Sequence, residues 1–362
     1  MARHLSLDAL RGVAVILMME QHLGTWLWQI ADPSRSRVAQ APLYMGLNAL
    51  GGLAAPIFIT LAGAGASFLV AGRAHRSVDA VLIRRGLGLL GFGYLLNWLS
   101  PSWFSPGSWF VLHLMGLGIV TSPLWRRLPD VALLALEAGI LAATVAVQAW
   151  LRTPILLENS RMRDLDLPGG AARLALAEGQ FPVLPWLGVF LAGVVVGRWV
   201  LAGQHARITA LLRICVGVGV VLVGLQYAAH HLPGLSFLKA EPWRRAITVR
   251  TSFYPAGPGI VLLLQAGVLL LLRSALWVEA VRELAPRGVL VCLGRASLTL
   301  LLVHVVLFRE LSRPLGAWQA FDWPVALAII AAWIVVCALL ARAWQRIDFR
   351  FGAEWLLRRT GG

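Results

Sequence analysis

The chain has 362 residues, 59% of them hydrophobic and 14% charged, with a mean hydropathy of +0.75. Soluble domains carry about 25% charged residues, so this balance excludes an ordinary soluble fold and points to the lipid bilayer. The formal net charge of +15 would suit nucleic acid, but most arginines fall in short segments between apolar runs, where membrane topology needs them. A nucleic-acid partner is therefore set aside.

Apolar stretches long enough to cross about 30 Å of hydrocarbon occur at 9–30, 43–71, 80–99, 108–124, 131–151, 182–201, 208–231, 256–276, 288–308 and 323–345. The pattern predicts an all-α polytopic membrane protein, a bundle of about ten transmembrane helices forming one domain over 1–362. The first stretch has no small-residue cleavage site and carries Arg11, Glu20 and His22, so it reads as a retained helix rather than a signal peptide. The second is long, and Gly51, Gly52 and Pro56 predict a kink or break within it. Cys215, Cys292 and Cys337 lie in apolar segments without CxxC spacing, which implies neither a disulfide nor a metal site.

With the N-terminus inside, nineteen Lys and Arg residues fall on the inner side and twelve on the outer, with Arg295 inside a span. The inner loops carrying the bias include Arg73, Arg76, Arg84 and Arg85, then Arg126 and Arg127, whereas the outer turn 100–107 has no charge. Both termini are expected in the cytoplasm, and the chain in a cell inner membrane. Trp26, Trp28, Trp98, Trp103, Trp109 and Trp150 gather at the expected outer ends, as an interfacial belt does. Two outer loops, 152–181 and 232–255, are longer than topology needs. Their arginines, mixed with Asn, Asp and aromatic residues, suit a polar or anionic acceptor as well as plain solvation.

The strongest chemical signal is in the first stretch, where Ser6-Leu7-Asp8-Ala9-Leu10-Arg11-Gly12 leads to His22. Eleven helical steps of about 100° come to about 20° past three full turns, so Arg11 and His22 share a face about 16 Å apart. Ionisable residues are expensive in a bilayer, and two aligned ones suggest a protein-facing or water-facing stripe. Asp8, one turn before Arg11, is placed to pair with it. His22, His113 and His304 all fall at outer-half depth, within reach of one cavity. Neutral imidazole serves as a general base, although an interhelical hydrogen bond accounts equally for His113 or His304 taken alone. Glu20 lies about 200° around the helix from His22, which disfavours a simple dyad. Arg11, Arg84, Arg85 and Arg295 are candidate phosphate contacts, because guanidinium forks match pyrophosphate oxygens. The chain has no Walker loop, GxSxG elbow, HExxH or dinucleotide fingerprint.

These residues carry a family resemblance. Ser6 to Gly12 followed by the run to His22 resembles the first helix of the transmembrane acyltransferase superfamily. More narrowly, the chain is similar to bacterial membrane proteins related to the catalytic domain of heparan-α-glucosaminide N-acetyltransferase. Further matching pieces are Ala55-Pro56-Ile57-Phe58, Arg84-Arg85-Gly86-Leu87, Val111-Leu112-His113-Leu114-Met115-Gly116, the segment from Phe181 to Gly188, and Gly294-Arg295-Ala296-Ser297-Leu298 with His304. The resemblance implies a ten-helix core that takes an acyl group, acetyl in the first place, from cytosolic acyl-CoA to an acceptor at the outer face. In the related acyltransferase family 3 the Arg and His of this spacing are the functional pair, which maps onto Arg11 and His22. There is one departure. The lysosomal enzyme has Asn at the position of His22 and its catalytic His about where Pro33 stands here, so neither glucosamine as acceptor nor an acyl-histidine route is inherited.

The resulting expectation is an acyl-CoA-dependent acyltransferase without a metal. His22 is the base, and Arg11, Arg84, Arg85 and Arg295 meet CoA. Asp8 orients Arg11, while His113 and His304 orient the acceptor or stabilise the oxyanion. The partners are membrane lipid and a glycan or lipid-linked acceptor, with a second copy of the chain as a candidate. The alternative is a transporter or flippase of a lipid-linked or anionic metabolite along the same Arg/His path, with a non-catalytic scaffold as a third reading.

Overall fold

The computed structural model describes residues 4–30, 37–72, 75–249 and 253–360. Among them are thirteen α-helices of seven or more residues. They are α1 (Leu5–Leu27), α2 (Pro42–Gly51), α3 (Ala54–Ala71), α4 (His75–Leu99), α5 (Val111–Val120), α6 (Asp130–Trp150), α7 (Val183–Leu201), α8 (His205–His231), α9 (Pro258–Val281), α10 (Val289–Arg295), α11 (Ser297–Val305), α12 (Trp323–Trp344) and α13 (Ala353–Thr360). The only β feature among the described residues is an isolated bridge between Trp28 and Phe321.

Every expected apolar stretch is helical, but the expected count of spans is not reached on length and apolarity. Among the described residues six helical runs are long and apolar enough to cross a membrane: Pro42–Ala71, α6, α7, α8, α9 and Trp323–Ile347. The pair α10 and Ser297–Leu311 makes a seventh if its 73° bend lies within one span. α1 and α4 fall outside this set, the first with Asp8, Arg11 and Glu20 and the second with Asp79, Arg84 and Arg85. α5 has only 10 residues. The chain is an all-helical, multi-pass membrane protein. The break expected near Gly51 and Pro56 falls at Gly52 and Leu53, between α2 and α3.

The chain divides into two compact units, Met1–Phe58 with Leu99–Trp103 and Ser274–Arg359, and Ile59–Trp98 with Phe104–Arg273 and Thr360–Gly362. In the first unit α1 lies against α10. A Cβ at Gly12 would overlap the carbonyl of Leu290, and one at Gly294 would overlap that of Asp8. Glycine at both positions therefore lets the two backbones meet, the close packing that membrane helices favour. Around this crossing Val15, Met19, Cys292, Leu293, Ala296, Leu300, Cys337 and Phe349 form one buried cluster.

Two carboxylates set the helix starts of this unit. Glu279 accepts from the backbone N–H of Leu5 at 2.7 Å, from that of Ser6, and from the Ser6 hydroxyl. Glu354 accepts from the N–H groups of Leu298 and Thr299 and from the Thr299 hydroxyl. Both satisfy orphan amide donors at a positive helix end with an anion from a distant segment. The loop after residue 311 returns to α1, with Gln319 N donating to Trp26 O at 2.7 Å and Phe321 N to Leu27 O at 3.1 Å.

In the second unit α7 is the buried centre. Gly193 faces the Thr60 backbone of α3, Gly63 faces that of Phe190, and Gly197 faces Ala64. The loop 152–181 folds around one carboxylate. Glu178, fully buried, accepts from Thr153 Oγ1 at 2.8 Å, Arg173 Nε and Nη2 at 2.8 Å and Arg161 Nε at 3.3 Å. Burial alone would raise its pKa, but these hydrogen bonds and guanidinium charges hold the carboxyl below its ordinary 4.5.

Candidate functional site

His22 and His304 meet in the first unit, near the end of α1 and in the last turn of α11. His22 Nδ1 lies 2.9 Å from His304 Nε2, and the rings stack at 5.2 Å with 15° between their planes. Trp26, one turn after His22, stacks on it at 5.2 Å, and Trp103 closes the side edge-on at 5.1 Å. His304 is fully buried, whereas His22 keeps a partly exposed edge.

The proton positions follow from one backbone carbonyl. His304 Nδ1 lies 2.8 Å from the Leu300 oxygen, which only accepts, so that nitrogen carries the hydrogen. With the ring neutral, His304 Nε2 is then an acceptor, and the hydrogen between the rings sits on His22 Nδ1. The remaining nitrogen of neutral His22, Nε2, is left with a free lone pair. Leu300 O, His304 and His22 thus form a chain that presents a base at its far end.

Next to this chain the helix widens into a π-turn over Val306–Leu311, a distortion that gathers at functional sites. The wider turn brings Arg309 round beside the rings, 5.7 Å from the Trp26 ring centre, 5.4 Å from Trp103 and 4.6 Å from Trp318. Arg309 donates to the hydroxyl and carbonyl of Ser102, both at 3.1 Å. The neighbouring Glu310 accepts from Ser100 and Ser102 at 2.6 Å. The uncharged turn thereby becomes the partner of an Arg–Glu pair from elsewhere in the chain, supporting a cationic wall in low dielectric.

At the other end of α1, Arg11 Nη1 donates to Asp8 Oδ1 at 3.0 Å. Asp8 is buried at 3% and Arg11 is 31% exposed, so the carboxylate steadies one edge of a guanidinium that stays partly exposed.

The family model described as heparan-alpha-glucosaminide N-acetyltransferase, catalytic, matches residues 3–238. The chain belongs to that family. No curated protein matches it. Membership places the chain among the membrane N-acetyltransferases. The matched stretch holds Asp8, Arg11, His22, Arg84, Arg85 and His113. His304, Arg309 and Arg295 lie beyond it, so the partner that sets the His22 tautomer is not part of the family match.

The other expected site residues of this N-acetyltransferase-family chain are described within their own units. His113 belongs to the second unit, fully buried among Tyr94, Trp109 and Phe110, whose rings lie 4.5–5.3 Å away. Its Nδ1 accepts from the Phe110 N–H at 3.3 Å, so in the neutral ring the hydrogen sits on Nε2, which has no partner. Arg84 is exposed and Arg85 half-buried, both also in the second unit. Arg295, expected as a phosphate contact, lies in the first unit. It is bound to Asp348 at 3.0 Å and lies 4.8 Å over the Phe349 ring, contacts that tie it to the turn after α12. Arg73 falls outside the described residues.

The long loops are likewise more self-contained than their composition suggests. Arg161 and Arg173 point inward to Glu178, and Arg244 and Arg245 pair with Glu241 at 2.7 and 2.9 Å. A cavity of about 370 Å³ in the second unit is lined by Ala66, Ser67, Val70, Trp125, Arg126 and Arg198, but its guanidiniums are bound to Asp79 and Asp130. No group of three His, Cys, Asp or Glu side chains among the described residues is arranged to hold a metal ion.

Sequence reasoning missed Trp26, Trp103 and Arg309. Trp26 had a signal, since it stands four residues after His22 on the same face. Arg309 had none, because its place beside His304 depends on the π-turn.

Proposed function

We propose that this protein moves an acyl group, acetyl in the first place, from cytosolic acyl-CoA to a hydroxyl or amine of a glycan or lipid-linked acceptor at the outer face of a cell inner membrane, with both termini in the cytoplasm. The observation that carries the proposal is the chain Leu300 O–His304–His22, which leaves a lone pair on His22 Nε2. His22 takes the proton of the acceptor hydroxyl or amine as its oxygen or nitrogen attacks the thioester carbonyl. The tetrahedral intermediate collapses with cleavage of the carbon–sulfur bond, and the CoA thiolate recovers the proton from His22. His304 spreads the transient imidazolium charge through its hydrogen bond to His22, and Trp26 and Trp103 screen the rings from water. Arg11, about 16 Å down α1 and steadied by Asp8, takes a phosphate of the donor at the cytosolic end. Arg84 and Arg85 are a second set to be tested separately.

The test is acetyl transfer from labelled acetyl-CoA in proteoliposomes, with release of free CoA thiol followed in parallel. His22→Ala should lower kcat/KM by about 10²–10⁴-fold, the range of a lost general base, and Arg11→Gln should raise KM for the donor. Undiminished transfer by His22→Ala would overturn the assignment of the base. Acceptor movement without any release of CoA would identify a transporter instead.

A further inference from the structure

The turn after α12 and helix α13 carry a surface that acyl transfer does not use. α12 ends at Trp344, and it belongs to a run apolar enough to cross a membrane. Only eight residues separate it from Ala353, so α13 must lie close to the membrane surface. Asp348, Phe349 and Phe351 all have left-handed backbone, with φ of 52°, 53° and 67°, unfavourable for such side chains. Phe349 compensates by being fully buried. Phe351 does not compensate within the fold, for it stands 81% exposed.

The outward stripe of α13 continues from that ring. Phe351 packs against Trp355 at 5.5 Å, Arg359 lies 5.2 Å over the Trp355 ring, and Leu356 is 45% exposed. In the same segment Arg350 and Arg359 are exposed and Arg358 is half-buried, and Arg342 and Arg346, in the last turns of the preceding run, are exposed as well. The two acids of the segment face other partners, Asp348 towards Arg295 and Glu354 towards the start of α11. The result is an aromatic and leucine patch in a segment rich in arginine, directly after a membrane span. That combination fits acidic lipid headgroups, with the rings at the interface and the guanidiniums on phosphate.

We propose that α13 docks on anionic phospholipid, and that this docking holds the start of α11. The link is Glu354, which lies on α13 and caps the Leu298 and Thr299 amides, together with the Ala353 N–H donating to Thr299 Oγ1 at 2.9 Å. α11 is the helix that ends in His304. The headgroups therefore set the order of a helix that reaches the histidine pair.

Hydrogen exchange on the full chain in nanodiscs tests this without reading acyl transfer. Replacing part of the phosphatidylcholine with phosphatidylglycerol should raise protection of Ala353–Arg359 and of the Leu298 and Thr299 amides by about tenfold, and high salt should reverse it. The Arg350→Gln/Arg358→Gln/Arg359→Gln variant should lose the response while α12 keeps its protection. Phe351→Ser, which removes the exposed ring and its contact with Trp355, should weaken it. Glu354→Gln should uncouple α11 from α13 and leave the α13 response intact. Equal protection in both lipids would overturn the proposal, as would a full response in the triple variant. Protection supplied by acetyl-CoA in pure phosphatidylcholine would reassign the arginines to the acyl donor.

Discussion

His22 and His113 are the same side chain in similar aromatic company, and their surroundings leave them in opposite protonation geometries. The Leu300 carbonyl and His304 push the His22 hydrogen onto Nδ1 and bare its Nε2. The Phe110 N–H occupies His113 Nδ1 and leaves the hydrogen on an unpartnered Nε2. One ring is built to accept a proton at its exposed edge, and the other is a buried donor with nothing to donate to. Stacking alone does not decide what a histidine can do. The partner at its Nδ1 decides, because that hydrogen bond selects the tautomer.

The largest effect that would sharpen the contrast is on turnover. His22→Ala should cost about 10²–10⁴-fold in kcat/KM, measured by acetyl transfer in proteoliposomes, while His113→Phe should stay within about threefold in the same assay, since phenylalanine still fills an aromatic box. Equal losses would break the comparison. A buried polar network in the second unit is the next check. Glu178→Gln leaves Arg161 and Arg173 facing a neutral group and should destabilise the loop 152–181 by about 3–5 kcal/mol, read by hydrogen exchange.

The same residue predicts a pH response. Its folded pKa lies below 4.5, so its stabilisation is complete above the unfolded value and is lost as pH falls through the folded one. Protection of the loop should therefore drop only on acidification below about 4.5, and the Gln variant should lack that step.

Smaller effects concern the supports of the two rings. His304→Leu removes the group that fixes the His22 tautomer and should lower turnover about 10–100-fold, the scale seen when a histidine loses its orienting partner. His304→Gln should recover part of it, because an amide oxygen can accept from Nδ1. Gly93→Ala would place a methyl 2.9 Å from His113 Nε2, and should cost about 1–3 kcal/mol in thermal unfolding with turnover per folded molecule unchanged. A fall in turnover as steep as that of His304→Leu would show that His113 takes part in the chemistry.

Much of this was legible in the chain. Long apolar runs separated by arginine-bearing segments specify helices in lipid, because the unsatisfied backbone has no other solution there. Arg11, Asp8 and His22 were legible for the same reason, since a helix makes side-chain direction a function of spacing. The bend at Ala296 was not legible. It depends on Glu354 offering a carboxylate to the N-terminus of a second helix, and no local pattern encodes a partner 56 residues away. The partners of Arg295 were not legible for a related reason, because Asp348 and Phe349 meet its guanidinium only in the folded chain.

The sequence by itself determined a helical membrane protein with an Arg and a His aligned on its first helix, because hydrophobic length and helical periodicity are local properties, and its motifs carried the family resemblance. Only the tertiary structure decided which of three histidines has a free basic nitrogen. A tautomer is set by a hydrogen bond, and the one that matters here joins residues 282 apart.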